Sequence, residues 1–366
     1  MSGLKTMTAR ELWRAIMHYG SFDRLPVIHW TEWTETRERW YGEGLPRDID
    51  KRVGVRRFLG AVPHWESVGC SIGLFPCFEE EVLEETEEYR IFRDAEGVVK
   101  QDWKHKSCIP HYIDFTLKSA AEWPDFKRRL QVDPARIPED LDERIRRVEA
   151  SGNAIAIGGG SMMGWIRNWM GVENMSYLMY DDPDCYADMI DTLSDLVCWQ
   201  IDQVVSRMKT LPDLCHGWED ICGKSGPLVS PAIFEKCVAE GYRKIRRKLD
   251  EYGIRLYSID TDGDIKHLVA HWFDAGVNVQ FPVEIGTWNA DPMEYRRQLG
   301  KGLRIVGGFN KLVLEKGREA IDAEIERRLP LIKDGGFLMM PDHLITPGVP
   351  LDDYRYYLDR IRNLRV

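Results

Sequence analysis

The sequence predicts an α/β fold, a closed (β/α)8 TIM barrel with a β-hairpin insertion near residues 80–115. Three observations carry that expectation. From about residue 150 short apolar runs alternate with amphipathic helical stretches, the mark of a parallel sheet covered by helices. Almost every apolar run ends in polar or aromatic residues, as barrel strands do at the face that carries chemistry. No Gly-x-Gly-x-x-Gly follows the first run, so an open doubly wound sheet lacks its usual signature. The 366 residues suit one such domain spanning 1–366.

Taken in order, "LPVIHW" (25–30) is the first expected strand, and an eighth is expected within the weakly patterned 55–80 stretch. "EYRIFRDAEGVVKQDWKHK" (88–106) reads as an antiparallel hairpin turning at Ala95-Glu96-Gly97. "NAIAIGGG" (153–160) is a strand ending in glycines. The helix after it starts with Asp182 as N-cap and Pro183 at the first helical position, and repeats Leu196, Val197, Ile201, Val204, Val205 and Met208 at helical spacing. "DLCHGWED" (213–220) is the next strand, followed by a helix opened by Ser230-Pro231 and stopped by Gly253. "RLYSID" (255–260), a helix through His271, "VNVQFPVE" (277–284), a helix opened by Asp291-Pro292, "LRIVGGFN" (303–310), a helix near 312–330 and "GGFLMMPD" (335–342) complete the alternation.

Composition narrows the function classes. Apolar residues make up 43% and charged residues 30%, a soluble globular balance, and no stretch approaches the ~20 apolar residues of a membrane span. A net charge of −10 argues against a nucleic-acid surface. Eight cysteines form no Cys-x-x-Cys pair; with charges early in "MSGLKTMTARELWRAIMHYG", a reducing cytoplasm is expected. Cys185, Cys198 and Cys237 lie in helical patterns as ordinary small apolar residues.

The strand ends hold the chemistry: His29, Trp30 and Glu32; Gly158-Gly159-Gly160-Ser161; His216, Trp218, Glu219 and Asp220; Asp260 and Asp262; Glu284; Asn310; Asp342 and His343. Any one of these can be an ordinary polar end meeting water. Side chains alternate along a strand, however, so Ser258, Asp260 and Asp262 share one face while Tyr257 and Ile259 share the other. The apolar face suits the helical layer and sends the acids to the barrel mouth. Asp264 is a candidate helix N-cap. An EF-hand is excluded, because Gly263 falls at the fourth position of such a loop and no Glu occupies the twelfth. Trp30, Trp33, Trp165, Trp169, Trp218 and Trp288 lie at or beyond strand ends, either as core packing or as an aromatic pocket for a flat or methylated ligand.

At these residues the chain resembles the uroporphyrinogen decarboxylase superfamily, whose members share the (β/α)8 barrel. The resemblance rests on "WEDICGKSGPLVSPAIF" (218–234), "GIRLYSIDTDGDIKHLVAHWFDAGVNVQFPVEIG" (253–286), "LRIVGGFNKLVLEKGREAI" (303–321) and "GGFLMMPDHLITPGVPLDDYRYYL" (335–358), and at the front on "DRLPVIHW" and "RWYGEGLP". The arginine-rich Met-Arg-Gln-Ala-Gly-Arg-Tyr segment of the true decarboxylases is replaced by "HWTEWTETRERW", and their catalytic aspartate has no counterpart in "GCSIGLFPCFEEE". The resemblance therefore points to the branch of corrinoid-dependent methyltransferases. Several of these bind zinc through His-x-Cys-Gly on the strand that ends here in "IDTDG", which puts Asp260 and Asp262 at the metal-holding positions; the later cysteine falls near Phe309-Asn310.

The expected function is transfer of a methyl group from a small methylated substrate, an aryl methyl ether among them, to a corrinoid protein, as in O-demethylation. Asp260, Asp262, Glu219 and His343 are the expected catalytic residues and, together, a zinc site with one open position. His29, Trp30, Glu32, Trp165, His216, Trp218 and Asn310 are expected to bind substrate. Cobalamin would come on a partner protein, since the chain lacks an Asp-x-His-x-x-Gly segment. The resemblance also implies a homodimer. Two alternatives are a metal-free decarboxylase of a small aromatic acid, anchored by Arg167 and Lys224, and a tetrapyrrole-binding barrel without turnover.

Overall fold

The computed structural model describes residues 7–105 and 108–366, so Lys106, the end of the 88–106 reading, and the first six residues lie outside it. Among the described residues a curled parallel sheet of seven strands forms a TIM-barrel-like centre. Its strands are β1 (Glu66–Val68), β2 (Ile155–Gly158), β3 (Leu214–Trp218), β4 (Tyr257–Asp260), β5 (Val279–Val283), β6 (Arg304–Phe309) and β7 (Phe337–Pro341). Each pairs with the next in chain order, all parallel.

The segment expected to be the first strand is not one. Pro26 and Pro63 flank the positions where pairing would extend, since proline supplies no N–H to a ladder, and only bridges form. Those bridges tie the two edges of the sheet together. Val62 donates to Val27 O (2.9 Å) and accepts from His29 N (3.1 Å) on the β1 side. Trp33 donates to Ile345 O (3.1 Å), and Ile345 to Thr31 O (3.2 Å), just beyond β7.

Helices cover the sheet and start where their caps dictate. Asp182 accepts from Cys185 N, Ser230 from Ile233 N, and Asp291 from Met293 N, each with proline at the next position. The helix after Ser230 breaks at Val238 into Pro231–Cys237 and Ala239–Tyr252, and left-handed Gly253 ends it. The helix expected near 312–330 runs Arg318–Asp334, behind a 3-10 turn at Lys311–Glu315. Asp264 caps a turn through Lys266 N rather than a helix, and Val269–Asp274 starts without a side-chain cap. Tyr257 and Ile259 are buried, with Tyr257 against Tyr242 of the helical layer.

Strands Glu81–Glu85, Tyr89–Arg93, Val99–Trp103 and His111–Asp114 form a separate antiparallel sheet in chain order, with Tyr89 opposite Trp103. It follows β1 in the chain and precedes β2. The sheet packs beside the helix Gly164–Asp181, where Trp169 Nε1 donates to Glu96 (3.2 Å) and Leu117 N to Trp169 O (3.0 Å).

Candidate functional site

Register decides which strand-end residues meet. Ser258 lies opposite His216 and Asp260 opposite Trp218, so His216, Trp218 and Asp220 share a face with Ser258, Asp260 and Asp262. Asp220 has a left-handed backbone (φ 49°), and its Oδ1 accepts from Asp262 N at 3.1 Å. One oxygen from each of Asp220, Asp260 and Asp262 lies within 4.8 Å of the others. His343, arriving after β7, places Nε2 3.3 Å from Asp262 Oδ2.

The turn carrying these acids is held from below. Gly263 has φ 93°, and a Cβ there would sit 2.2 Å from the Cys222 carbonyl oxygen, so only glycine fits. Its N–H donates to Glu284 Oε2 (3.4 Å), which also accepts from Trp288 Nε1. Glu284 Oε1 meets the buried Lys311 Nζ at 3.0 Å. Burial raises the Glu284 carboxyl above its ordinary range, Asp262 pushes it further, and Lys311 opposes both.

Asp260 is the most perturbed acid of the group. Burial pushes its carboxyl well above the usual range, and Asp220, Asp262 and Glu284 add like-charge repulsion. No hydrogen-bond donor among the described residues reaches it. Asp220 is raised for the same reasons, burial first and Asp262 second.

Beneath the acids lies a layer of rings. Trp30 is 4.9 Å from Phe281, 5.8 Å from His64 and 5.4 Å from His343, centroid to centroid. Phe281 also meets Trp65 (5.1 Å) and His216 (5.4 Å). Burial lowers both His64 and His216 to about 3, so these imidazoles are neutral at physiological pH. His216 Nδ1 meets Ser258 Oγ at 3.2 Å, whereas the buried His64 Nδ1 has no partner.

The structure thus brings Asp260, Asp262, His343, Trp30 and His216 together, with Trp218 at the edge. Glu219 is the main correction. It sits one residue out of phase with His216 and Trp218, and its carboxylate turns outward. There it accepts from Met162 N (2.6 Å), Met163 N and Gly164 N (both 2.8 Å), Ser161 Oγ (3.2 Å) and Tyr242 Oη (2.6 Å). A carboxylate so occupied, at the start of the helix Gly164–Asp181, stabilises that helix and has no lone pair directed at the acids. His29 and Glu32 are likewise structural: His29 joins Tyr354 and Glu32, both at 2.8 Å, and Glu32 meets Arg37 at 2.5 Å. Burial would raise the Glu32 carboxyl, but its bonds to His29 and Arg37 bring it below the usual range. Asn310 accepts from Leu312 N (3.0 Å) as a turn cap, and Trp165 packs 6.2 Å from Trp169 above the Ser161 hydroxyl.

Sequence reasoning left Asp220 among the strand-end acids without a role and did not single out His64, Trp65 or Phe281. The two-residue period from His216 reaches Asp220 and would have placed it; nothing in the pattern around Pro63 marks His64. The anchors of the decarboxylase reading are committed or remote. Arg167 lies 5.3 Å over the Trp218 ring and donates to the Asp220 carbonyl and to Asn168, and Lys224 is exposed.

A solved methyltransferase from Methanosarcina mazei superposes with a TM-score of 0.61 at 15% identity, covering 98% of this chain and 99% of that one, a likeness of fold. The uroporphyrinogen decarboxylase of Streptomyces coelicolor is 25% identical over 154 residues, 42% of this chain and 39% of that protein. That of a Picosynechococcus species is 21% identical over 178 residues, 48% and 46%. The chain spans less than half the length of these curated relatives. The family model described as uroporphyrinogen decarboxylase (URO-D) matches residues 154–364, which include the strand ends carrying Asp220, Asp260, Asp262 and His343. The chain belongs to the uroporphyrinogen decarboxylase (URO-D) family.

Proposed function

We propose that the protein is a methyltransferase moving a methyl group from a small methylated donor to a corrinoid held by a partner protein. In this reading the sheet and the segment 27–33 act as a closed barrel, and the 81–114 sheet is an insertion beside its mouth. The observation that carries the reading is Asp260: a carboxyl raised by burial, free of donors, at the open end of β4 and above a face of rings. A carboxyl kept protonated can give its proton to a departing oxygen, which is what O-demethylation of an ether requires. Trp30, partly exposed beside His343, offers the ring against which an aryl group would rest.

The donor set also fits a divalent cation, since three carboxylate oxygens converge and one of them lacks any hydrogen bond. Asp220, Asp260 and Asp262 would hold it, with His343 adjacent; zinc bound there would supply Lewis acidity toward the leaving atom. Glu219 does not belong to that set. The corrinoid, presented by the partner at the mouth, supplies the methyl acceptor.

The test is methyl transfer to cob(I)alamin from a panel of methylated donors, with metal content measured alongside. Asp260→Ala and Asp262→Ala are each expected to lower transfer by about 100-fold or more, the usual loss for an acid at a reacting atom. Transfer unchanged in both variants would end the reading.

A further inference from the structure

We infer that the protein carries a binding site for a phosphate group at the end of the barrel opposite the acids, held by Arg246, Arg255 and Arg304. The inference goes beyond the methyl-transfer reading and does not depend on it.

Position is the first observation. Arg255 precedes β4, Asn278 precedes β5 and Arg304 opens β6, so all three lie where strands begin, whereas Asp260 lies where β4 ends. With Arg246 of the helix Ala239–Tyr252 and with Phe273 they line a cavity of about 370 Å3. Small-molecule pockets begin at about 300 Å3, so this one admits a phosphate with a short organic tail.

Charge is the second. Asp250 is the one carboxylate lining the cavity among the described residues, and Arg246 pairs with it at 2.7 Å. Arg255 is exposed, and its side chain makes no ion pair or hydrogen bond among the described residues. Arg304 is held by carbonyls, donating to Met17 O at 3.1 Å and Gly302 O at 2.6 Å, and has no carboxylate partner among the described residues. Two guanidinium charges therefore stand uncompensated in a chain whose net charge is −10. A phosphate ester, with close to two negative charges at neutral pH, balances them, and the guanidinium fork matches its oxygens.

An unfilled donor is the third. Gly276 is left-handed (φ 99°), and a Cβ there would lie 2.5 Å from Arg246 Cγ, so the arginine stem is laid across the glycine. Only 15% of the Arg246 side chain is exposed. Its Nη2 donates to Asp250 and to the Ile254 carbonyl, while its Nη1 is buried without an acceptor, a costly state for a charged group. Asn278 cannot meet that need, because its Oδ1 accepts from Tyr257 N (3.0 Å) and its Nδ2 donates to Arg255 O (2.9 Å). In the proposed site the oxyanion supplies the missing acceptor.

His18 reports on the site. Partial burial lowers its imidazole, and Arg304, Arg14 and Arg255 lower it further against the opposing pull of Asp213. Asp213 is itself taken by Arg10 and Arg14, at 2.8 and 3.1 Å. A dianion between Arg255 and Arg304 offsets two of these cations and moves the imidazole up.

The test follows the His18 ring of the full chain by NMR, the resonance being assigned by its loss in His18→Gln. Sodium chloride, inorganic phosphate, glycerol 3-phosphate and succinate are compared at matched ionic strength. Phosphate or its ester is expected to bind saturably and to raise His18 by at least about 0.5 pH unit over chloride. Arg255→Gln, at an exposed side chain with no bonds to lose, should weaken that binding at least about fivefold and shrink the shift. Arg57→Gln, at an exposed arginine outside the cavity, should leave both as they are. Tighter binding of the ester identifies an organic phosphate as the ligand, and equal or weaker binding identifies free phosphate; either supports the inference. No saturable binding, an Arg255→Gln protein that binds like wild type, or succinate held as tightly as phosphate overturns it.

Discussion

Replacing Asp260 by Asn should make the ligand-free protein more stable. The Asp260 carboxyl accepts no hydrogen bond among the described residues, and an oxygen of each of Asp220 and Asp262 lies within 4.8 Å. At that separation and an effective dielectric near 20, one like-charge pair costs roughly 3 kcal/mol. Uptake of a proton caps the penalty, so the expected net gain for the Asn variant at pH 7 is about 2 kcal/mol. The sign of its pH dependence is fixed. The folded-state pKa lies above the unfolded one, so between them the native state binds more protons and wild-type stability falls as pH rises. Asparagine removes that slope. Urea unfolding at pH 7 and near pH 4 should show a gap that is larger at the higher pH and nearly closed at the lower. An Asn variant equal to or weaker than wild type at pH 7, or a gain independent of pH, would refute the account of Asp260 as an uncompensated acid.

Glu219→Ala strands three backbone N–H groups and two hydroxyls, an expected loss of about 4 kcal/mol, with Glu219→Gln losing about half as much. A urea midpoint for the Ala variant within about 1 kcal/mol of wild type would disprove its capping role. Lys311→Met leaves Glu284 buried without its cation and should cost about 3 kcal/mol at neutral pH. Adding Glu284→Gln should recover most of that loss, and thermal melts of the single and double variants check it. Gly263→Ala forces a side chain onto the Cys222 carbonyl at a left-handed position, for an expected loss of about 2–3 kcal/mol. Methyl transfer should fall with it, because the turn carries Asp260 and Asp262; a fully active, equally stable Ala variant would contradict this.

Much of the fold was legible because each of the last six strands is an apolar run followed by a helix, and the three caps read at Asp182, Ser230 and Asp291 form. The front was harder. Residues 25–30 have the composition of a strand, yet proline on both sides of the seam reduces pairing there to single bridges. At the site, period-two alternation placed Asp260 and Asp262 on one face. The same rule, followed along β3, separates Asp220 from Glu219 and shows why two adjacent acids have opposite surroundings. What alternation could not reach was the three-dimensional company of His64, which comes from a proline-broken stretch and is packed by Trp30 and Phe281 from two distant places as well as by its neighbour Trp65. The networks of His29 with Tyr354 and of Glu219 with Tyr242 depend on helices distant in sequence, and no local pattern announces them.

The bridging segment between the sheet's two edges has a consequence for biosynthesis. Thr36 Oγ1 donates to the Ile345 carbonyl across 309 positions, beside the Trp33–Ile345 pair. A ribosome releasing this polypeptide from its front end must deliver the chain through Ile345 before that stitch can be made. Until then both rims of the nascent sheet stay open to other chains. Lesions around Ile345 should therefore surface as poor yield and aggregation during synthesis, even where the finished molecule, once sewn shut, tolerates them.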